Sequence, residues 1–407
     1  MARRGLARAT VALAAAAGVA ACSADDAPTD PLGGSTPNGL SAGAQSYLRS
    51  ALDFMEEVFL YRSRVTWTQV RAAALDSVPG AQTPRQTYPG IRTAIRRLND
   101  RHSGFWPPES APGLVDAPTN NPLYLASGQP MRSRLAYLYV PTFTGRNPVG
   151  RADSILTLVR QLDQGAPCGW ILDLRNNPGG YWAAMIAGLN PLIGDGRFGG
   201  LVDADSARAF FYSNGASAGV VQDQPRDSVE YLRAGSSYRL RRPGAPVAIL
   251  QGPLTASAGE LIILAFRGPG KPAMRAFGNY TYGVTTVPSG TYLRPDSAFL
   301  NITAAVMFDG NRRVYGDSLA PDERIAAPAG SVTPGAEDAT VQAAQAWLLA
   351  RPECAATAAD RPATADRSPL PAPGRAGWAR LAAPPGAPSP VFGGDRALPA
   401  PGTSGRR

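Results

Sequence analysis

Two of the 407 residues are the sole representatives of their type: His102 and Lys271. Every other basic side chain is an arginine, which stays protonated at any ordinary pH and cannot serve as a base. A mechanism that needs an imidazole must use His102, and one that needs an amine must use Lys271. A single histidine excludes His-cluster metal sites. Three widely spaced cysteines, Cys22, Cys168 and Cys354, make no zinc knuckle. No metal and no cofactor are expected.

Three segments have the residue types that chemistry requires. Asp100-Arg101-His102-Ser103 follows a predicted helix and holds the one group able to move a proton near neutral pH. Asp173-Leu174-Arg175-Asn176-Asn177-Pro178-Gly179-Gly180 leaves a predicted buried strand. Its glycines let backbone N–H groups approach a ligand closely. Thr255-Ala256-Ser257-Ala258-Gly259-Glu260 lies where a strand gives way to a helix, so Ser257 is presented beside free amides at the helix start. Singly, these read as a hydrogen-bonded histidine, a Gly-Gly turn and a helix N-cap. Together they supply a base, an oxyanion hole and a nucleophile, the parts of acyl transfer. A fourth pattern, Gly215-Ala216-Ser217-Ala218-Gly219, fits the G-x-S-x-G of α/β-hydrolases. That fold needs a histidine after its serine, and none follows residue 102, so a small-residue loop is expected there.

At these residues the chain resembles the tail-specific (C-terminal processing) peptidase family. Its two strongest signatures match 173–180 and 255–260, and the likeness runs from His102 to Ile325, including Pro321-Asp322. The resemblance implies an α/β, Clp-protease/crotonase-like core with helices around it. It implies Ser257 as nucleophile, and an oxyanion hole formed by the amide of Ala258 and one of the Gly179 and Gly180 amides. The best-known branch uses a lysine in a Phe-Gly-Lys segment. Here that stretch is Tyr282-Gly283-Val284, and Lys271 sits in a proline-flanked loop. The branch's PDZ module is also missing, since 103–134 is shorter than the roughly 50 residues of a small domain. Both differences match a PDZ-less Ser-His branch similar to the nisin resistance protein. Its Asp-x-His-Ser motif falls on Asp100–Ser103 and makes His102 the base. The orienting group stays open among Asp100, Glu260 and Asp317. Asp100 is also placed to cap a turn, and Glu260 to be a capping-box partner of Ser257. Tyr315 stands where tricorn-like relatives have a glutamate.

Periodicity supplies the frame for these segments. Leu48, Leu52, Met55, Val58 and Phe59 recur at helical spacing within 43–62, and further helices are expected at 67–75 and 88–98. From Leu135 the pattern becomes strand, turn and helix: strands at 135–143, 169–174 and 246–251, and helices at 153–162, 181–189 and 260–267. That alternation predicts an α/β core. Strands with hairpin turns are expected over 280–306, and 281–287 is a candidate for pairing with an extended peptide. A helix over 341–349 closes the core.

Charge and composition describe the ends. Residues 1–21 carry Arg3, Arg4 and Arg8 and no acid, while 361–407 carry seven arginines against Asp366 and Asp395. The pI of about 9.7 therefore belongs to the termini. No nucleic-acid partner is expected, because such binding needs a basic face on a folded module. The apolar run 9–21 falls short of the roughly 20 residues that span a bilayer and fits a signal peptide. Val19-Ala20-Ala21-Cys22 resembles a lipobox, with Cys22 the lipidated residue. The expected organisation is a signal peptide (1–22), a linker (23–40), a helical region (41–102), a connecting segment (103–134), the peptidase core (135–352) and a disordered Pro/Ala/Gly-rich tail (353–407). Cys168 and Cys354 are free to pair or to remain buried thiols. The expected function is an exported, lipid-anchored serine peptidase at the bacterial cell envelope, acting on peptide or protein substrates. The alternative is a catalytically inactive binding protein on the same fold. An acyl-CoA enzyme would share the core but leave the serine motif and the export signal unexplained.

Overall fold

Strands that are apolar at every position need cover on both faces, and the two-layered core follows from that demand. The computed structural model describes residues 37–110, 121–222, 228–326 and 330–355. The signal peptide with Cys22, most of the linker, and the chain beyond 355 lie outside the described residues. The helical region comprises α1 (Ala42–Val58), α2 (Trp67–Asp76) and α3 (Tyr88–Leu98). Then follow β1 (Gly104–Trp106), β2 (Ser127–Met131), β3 (Leu135–Tyr139), α4 (Pro148–Asp163), β4 (Gly169–Asp173) and α5 (Trp182–Ile193). A meander comes next: β5 (Gly196–Asp203), β6 (Arg208–Asn214), β7 (Ser217–Gln222) and β8 (Ser228–Arg233). The remaining elements are β9 (Val247–Gln251), α6 (Ala258–Ala265), β10 (Met274–Gly278), β11 (Thr286–Leu293), β12 (Ala298–Phe308), β13 (Glu323–Arg324) and α7 (Ala339–Leu349).

One six-stranded sheet has the order β13-β10-β9-β4-β3-β2, parallel except for the edge pair β2–β3. Alternation divides its side chains. Leu138, Leu172 and Ile249 face the main core with Val159, Ile186 and Ile263 of α4, α5 and α6. Tyr137, Ile171, Leu250 and Phe277 face α7 through Val341, Ala344 and Leu348. A disulfide between Cys168 and Cys354 closes this second face and resolves the open question about those cysteines. A 3-10 turn at Pro352–Cys354 carries the folded chain from the end of the expected core into the first residues of the stretch expected as tail. At the other end Pro37–Gly39 forms a 3-10 turn and Leu40 is buried against the helices, so the expected linker ends before residue 37.

The second sheet has seven strands in the order β1-β12-β5-β6-β7-β8, with β11 also paired to β12, all antiparallel. The β5–β8 part is an addition to the sequence expectation. Its strands are half-exposed and interrupted by glycines, so periodicity gives a weak signal there. The expected loop at 215–219 is corrected accordingly: Gly215 turns the β6–β7 hairpin, and Ser217–Gly219 runs in β7 with Ser217 buried. The strand expected over 281–287 starts only at Thr286. Long β12 joins the layers. Ala298, Leu300 and Ile302 pack with α1–α3, while Ala305 and Met307 enter the main core.

Candidate active site

Ser257 stands between β9 and α6 because a short hydrogen-bonded turn ends the strand. Thr255 Oγ1 donates to the Leu174 carbonyl (2.8 Å) and accepts from the Gly252 amide (3.0 Å). The Ala256 amide donates to the Asn177 carbonyl (2.9 Å). These bonds force Ser257 to φ 51°, ψ −114°, a backbone state that L-residues avoid. Such strain persists only where the surroundings over-determine it. Ser257 is partly exposed, while Ala256 and Ala258 on either side are buried.

Glu260 is fully buried, and its carboxylate organises the turn. It accepts from the Ser257 amide (2.9 Å), the Gly283 amide (2.9 Å), the Val284 amide (3.0 Å) and the Thr281 hydroxyl. Burial pushes its carboxyl above the usual range, and the four donors pull against that. The capping position expected from sequence is therefore occupied. The carboxylate also holds 281–284 beside Ser257, and a lysine at 284 is not needed for that contact. Val284 itself is buried.

The second signature packs directly on the serine. A Cβ added to Gly179 would lie 2.8 Å from Ser257 Cβ and 3.0 Å from the Ala258 nitrogen, so only glycine allows this approach. Gly180 (φ 114°) is equally closed to a side chain, which would meet the Phe143 carbonyl at 2.0 Å. The two amides differ. The Gly179 N–H donates to Asn177 Oδ1 (2.9 Å), whereas Gly180 is exposed and its N–H donates to no side chain among the described residues. Asn177 itself is fully buried. Its Nδ2 donates to the Val140 carbonyl (3.0 Å), and its own carbonyl receives Ala256. The motif contained Asn177, but nothing in its residue type marked it as the joint between the two loops.

The charged half of that signature faces elsewhere. Arg175 is buried and donates twice from its side chain to Asp173 (3.0 and 2.7 Å) and once to Asp338 at the α7 N-cap (2.5 Å). Asn176 exchanges two hydrogen bonds with the Val332 backbone (2.7 and 2.9 Å). The motif thus presents glycines to Ser257 and fastens 332–338 on the other side.

His102 comes from the helical region. Asn99 ends α3 in the left-handed conformation (φ 51°), which asparagine tolerates, and the chain turns back at 100–103. Asp100 Oδ2 accepts from the Ser103 amide (2.7 Å) and the Thr303 hydroxyl (2.7 Å), and the Thr303 amide donates to Ser103 Oγ (3.0 Å). Asp100 is therefore a turn cap fastened to β12. Its charge reaches His102 without a hydrogen bond to it. Imidazole Nδ1 instead lies 2.7 Å from Thr286 Oγ1. Burial pulls His102 down to about 4 against the opposing pull of Asp100, so the ring is neutral at pH 7. Thr286 carried no sequence signal beyond its place in the 281–287 segment.

Segment 284–286 connects the surroundings of Ser257 and His102. Val284 is held to the serine's turn through Glu260, and Thr286, two residues on, touches His102. Among the described residues the two share no direct hydrogen bond. Asp317 does not join them. Its side chain is 85% exposed, pairs at 3.7 Å with Arg101 and caps the Ser318 amide. Lys271 is committed to the Ile193 carbonyl (3.1 Å), and burial lowers it from the usual lysine range.

The model for peptidase family S41 matches residues 134–325. The nisin-resistance protein of Lactococcus lactis subsp. lactis is 28% identical over 284 residues, covering 68% of this chain and 82% of that protein. A solved lipoprotein from Streptococcus agalactiae superposes with a TM-score of 0.58 at 20% identity, covering 76% of this chain and 96% of that one. The superposition on the lipoprotein establishes a shared fold.

Proposed function

Residues 134–325 belong to peptidase family S41 and make the chain a serine-type peptidase; from that premise we propose that it cleaves peptides through a Ser257–His102 pair on a Clp-protease/crotonase-like core. Ser257 Oγ attacks the scissile carbonyl, and His102 Nε2 takes its proton. For Nε2 to accept, Nδ1 must carry the other proton and donate it to Thr286 Oγ1. The tetrahedral oxyanion rests on the Ala258 and Gly180 amides, because the Gly179 amide is already bonded to Asn177. His102 then protonates the leaving amine, and water, deprotonated by the same ring, releases the acyl group. Glu260 and Asp100 are positioning residues, each holding one half of the pair.

The observation that supports this reading is the packing of Gly179 against Ser257 and Ala258, too close for any side chain at 179, which joins the two signatures. The missing direct bond between His102 and Ser257 is the one feature favouring a binding-only protein. Catalytic hydrogen bonds are often long before substrate arrives. A fluorophosphonate probe decides between the two. The expected result is an adduct on Ser257 that is lost in His102→Ala; absence of any adduct on folded protein would establish the binding-only reading.

We further propose export and lipid attachment at Cys22, at the cell envelope. The Val-Ala-Ala-Cys segment supports this, as does the likeness to a streptococcal lipoprotein. Nisin, named in the Lactococcus relative, is the first substrate to try.

A further inference from the structure

Arg101 precedes His102, and its side chain reaches from the helical region to the core. The guanidinium lies over the Tyr282 ring, 5.3 Å from the centroid, and Nη2 donates to the Gly283 carbonyl (3.2 Å). A planar guanidinium can face a ring and donate in its own plane at once. Gly283 (φ 90°) permits the close approach. An added Cβ would lie 3.0 Å from that Nη2 and 2.9 Å from the Ser318 nitrogen.

The segment that Arg101 grips is also bonded to the turn of Ser257. The Tyr282 amide donates to the Thr255 carbonyl (2.9 Å). The Gly283 amide donates to one oxygen of Glu260, whose other oxygen accepts from the Ser257 amide. Gly283 thus faces the serine's half through its N–H and the histidine's half through its C=O. Among the described residues, the hydrogen bonds from 100–103 to 281–286 come from two successive side chains, Arg101 at Gly283 and His102 at Thr286. Arg101 also pairs with Asp317 at 3.7 Å, but both side chains are largely exposed, and such a pair holds little.

We propose that Arg101 is a positioning residue: its hold on Tyr282 and Gly283 fixes the turn of His102 relative to the turn of Ser257. The proposal rests on the Ser257–His102 reading. Asp100 and Ser103 keep the turn on β12 without Arg101, so the fold survives its loss while the spacing between the two halves relaxes. A shift of about 1 Å between reacting groups costs up to about 100-fold in rate.

The test compares the full chain with its Arg101→Met and Arg101→Lys variants. Reaction of Ser257 with a fluorophosphonate is followed to saturation, which separates the maximal rate from the half-saturating probe concentration. In Arg101→Met the maximal rate should fall about tenfold or more, at an unchanged half-saturating concentration and melting temperature. Hydrogen exchange of the 281–287 amides, read by mass spectrometry, should quicken by a similar factor. Arg101→Lys should return both to within about threefold of wild type, because its ammonium still reaches the Tyr282 face and the Gly283 carbonyl.

A wild-type maximal rate, or wild-type exchange, in Arg101→Met would each overturn the proposal, as would a loss that lysine does not relieve. A change confined to the half-saturating concentration would overturn it in favour of a substrate contact. A rate loss matched by a lowered melting temperature would overturn it in favour of a purely structural strut. No adduct on folded wild type would defeat the dyad and this proposal together, whereas a normal rate in Arg101→Met defeats this proposal alone.

Discussion

His102 Nδ1 lies 2.7 Å from the hydroxyl of Thr286, the first residue of β11. This is the position that an aspartate takes in a Ser-His-Asp triad. A threonine in that place sets the ring's orientation and tautomer without adding a charge. The imidazole is therefore tuned by burial and by the more distant Asp100.

Thr286→Val removes the oxygen and nearly preserves shape. Partners that orient metal-bound histidines are worth about 10–100-fold, and a loss of that order is expected here. The fall should appear in kcat/KM with little change in melting temperature, and Thr286→Ser should restore most of it. Equal losses in the valine and serine variants would mean that Thr286 only fills space.

The protonation state of His102 makes two pH predictions. In the proposed mechanism His102 must be neutral to act as base, so the acid limb of kcat/KM should lie well below 6.5, toward 4. The stability effect has a definite sign. Between about 6.5 and about 4 the unfolded chain binds a proton on this residue and the folded chain does not. His102 therefore favours the folded state fully above pH 6.5, and that contribution is lost as pH falls toward 4. Denaturation of wild type against His102→Gln across this window should isolate the slope. An acid limb at 6.5 or higher would contradict a partly buried, neutral ring.

The strained serine predicts an order of stabilities. Ser257 holds φ 51°, ψ −114°, which glycine adopts without penalty. Ser257→Gly should be more stable than Ser257→Ala by about 1 kcal/mol, within the range for such strain. Both should lack the fluorophosphonate adduct. Urea midpoints of the two variants make the comparison, and an alanine variant as stable as the glycine one would show that no strain is stored there.

Arg175 predicts a structural phenotype from within a catalytic signature. Replacing it by Met leaves Asp173, fully buried, without its partner. Removing one member of a buried pair costs about 3–5 kcal/mol. Asp338→Asn, at a partly exposed carboxylate, should cost far less. If the glycine turn depends on this clamp, limited proteolysis will cut 330–338 in Arg175→Met before global unfolding.

Much of the frame was legible locally. Helical spacing marked α1–α3 closely, because each has one apolar face turned to a core. Continuous apolar runs marked β4 and β9, since strands covered on both faces cannot alternate. The β5–β8 meander was missed because partial exposure and glycines blur its period. The scarcity of histidine and lysine narrowed the candidate bases to His102 and Lys271 before any geometry was known.

What the sequence determined, then, was a set of residue types: a single imidazole, a serine at a strand-to-helix turn, and a pair of glycines after a buried strand. Each is a short-range property, readable from neighbours. The tertiary structure decided how they are used. The Thr286–His102 contact spans 184 positions and depends on the β11–β12 pairing and on the turn that ties Asp100 to β12. The choice of Gly180 over Gly179 as the free amide depends on where the Asn177 side chain points. The disulfide depends on α7 crossing the parallel sheet. Long-range contacts of this kind are set by packing and register, which no local pattern encodes.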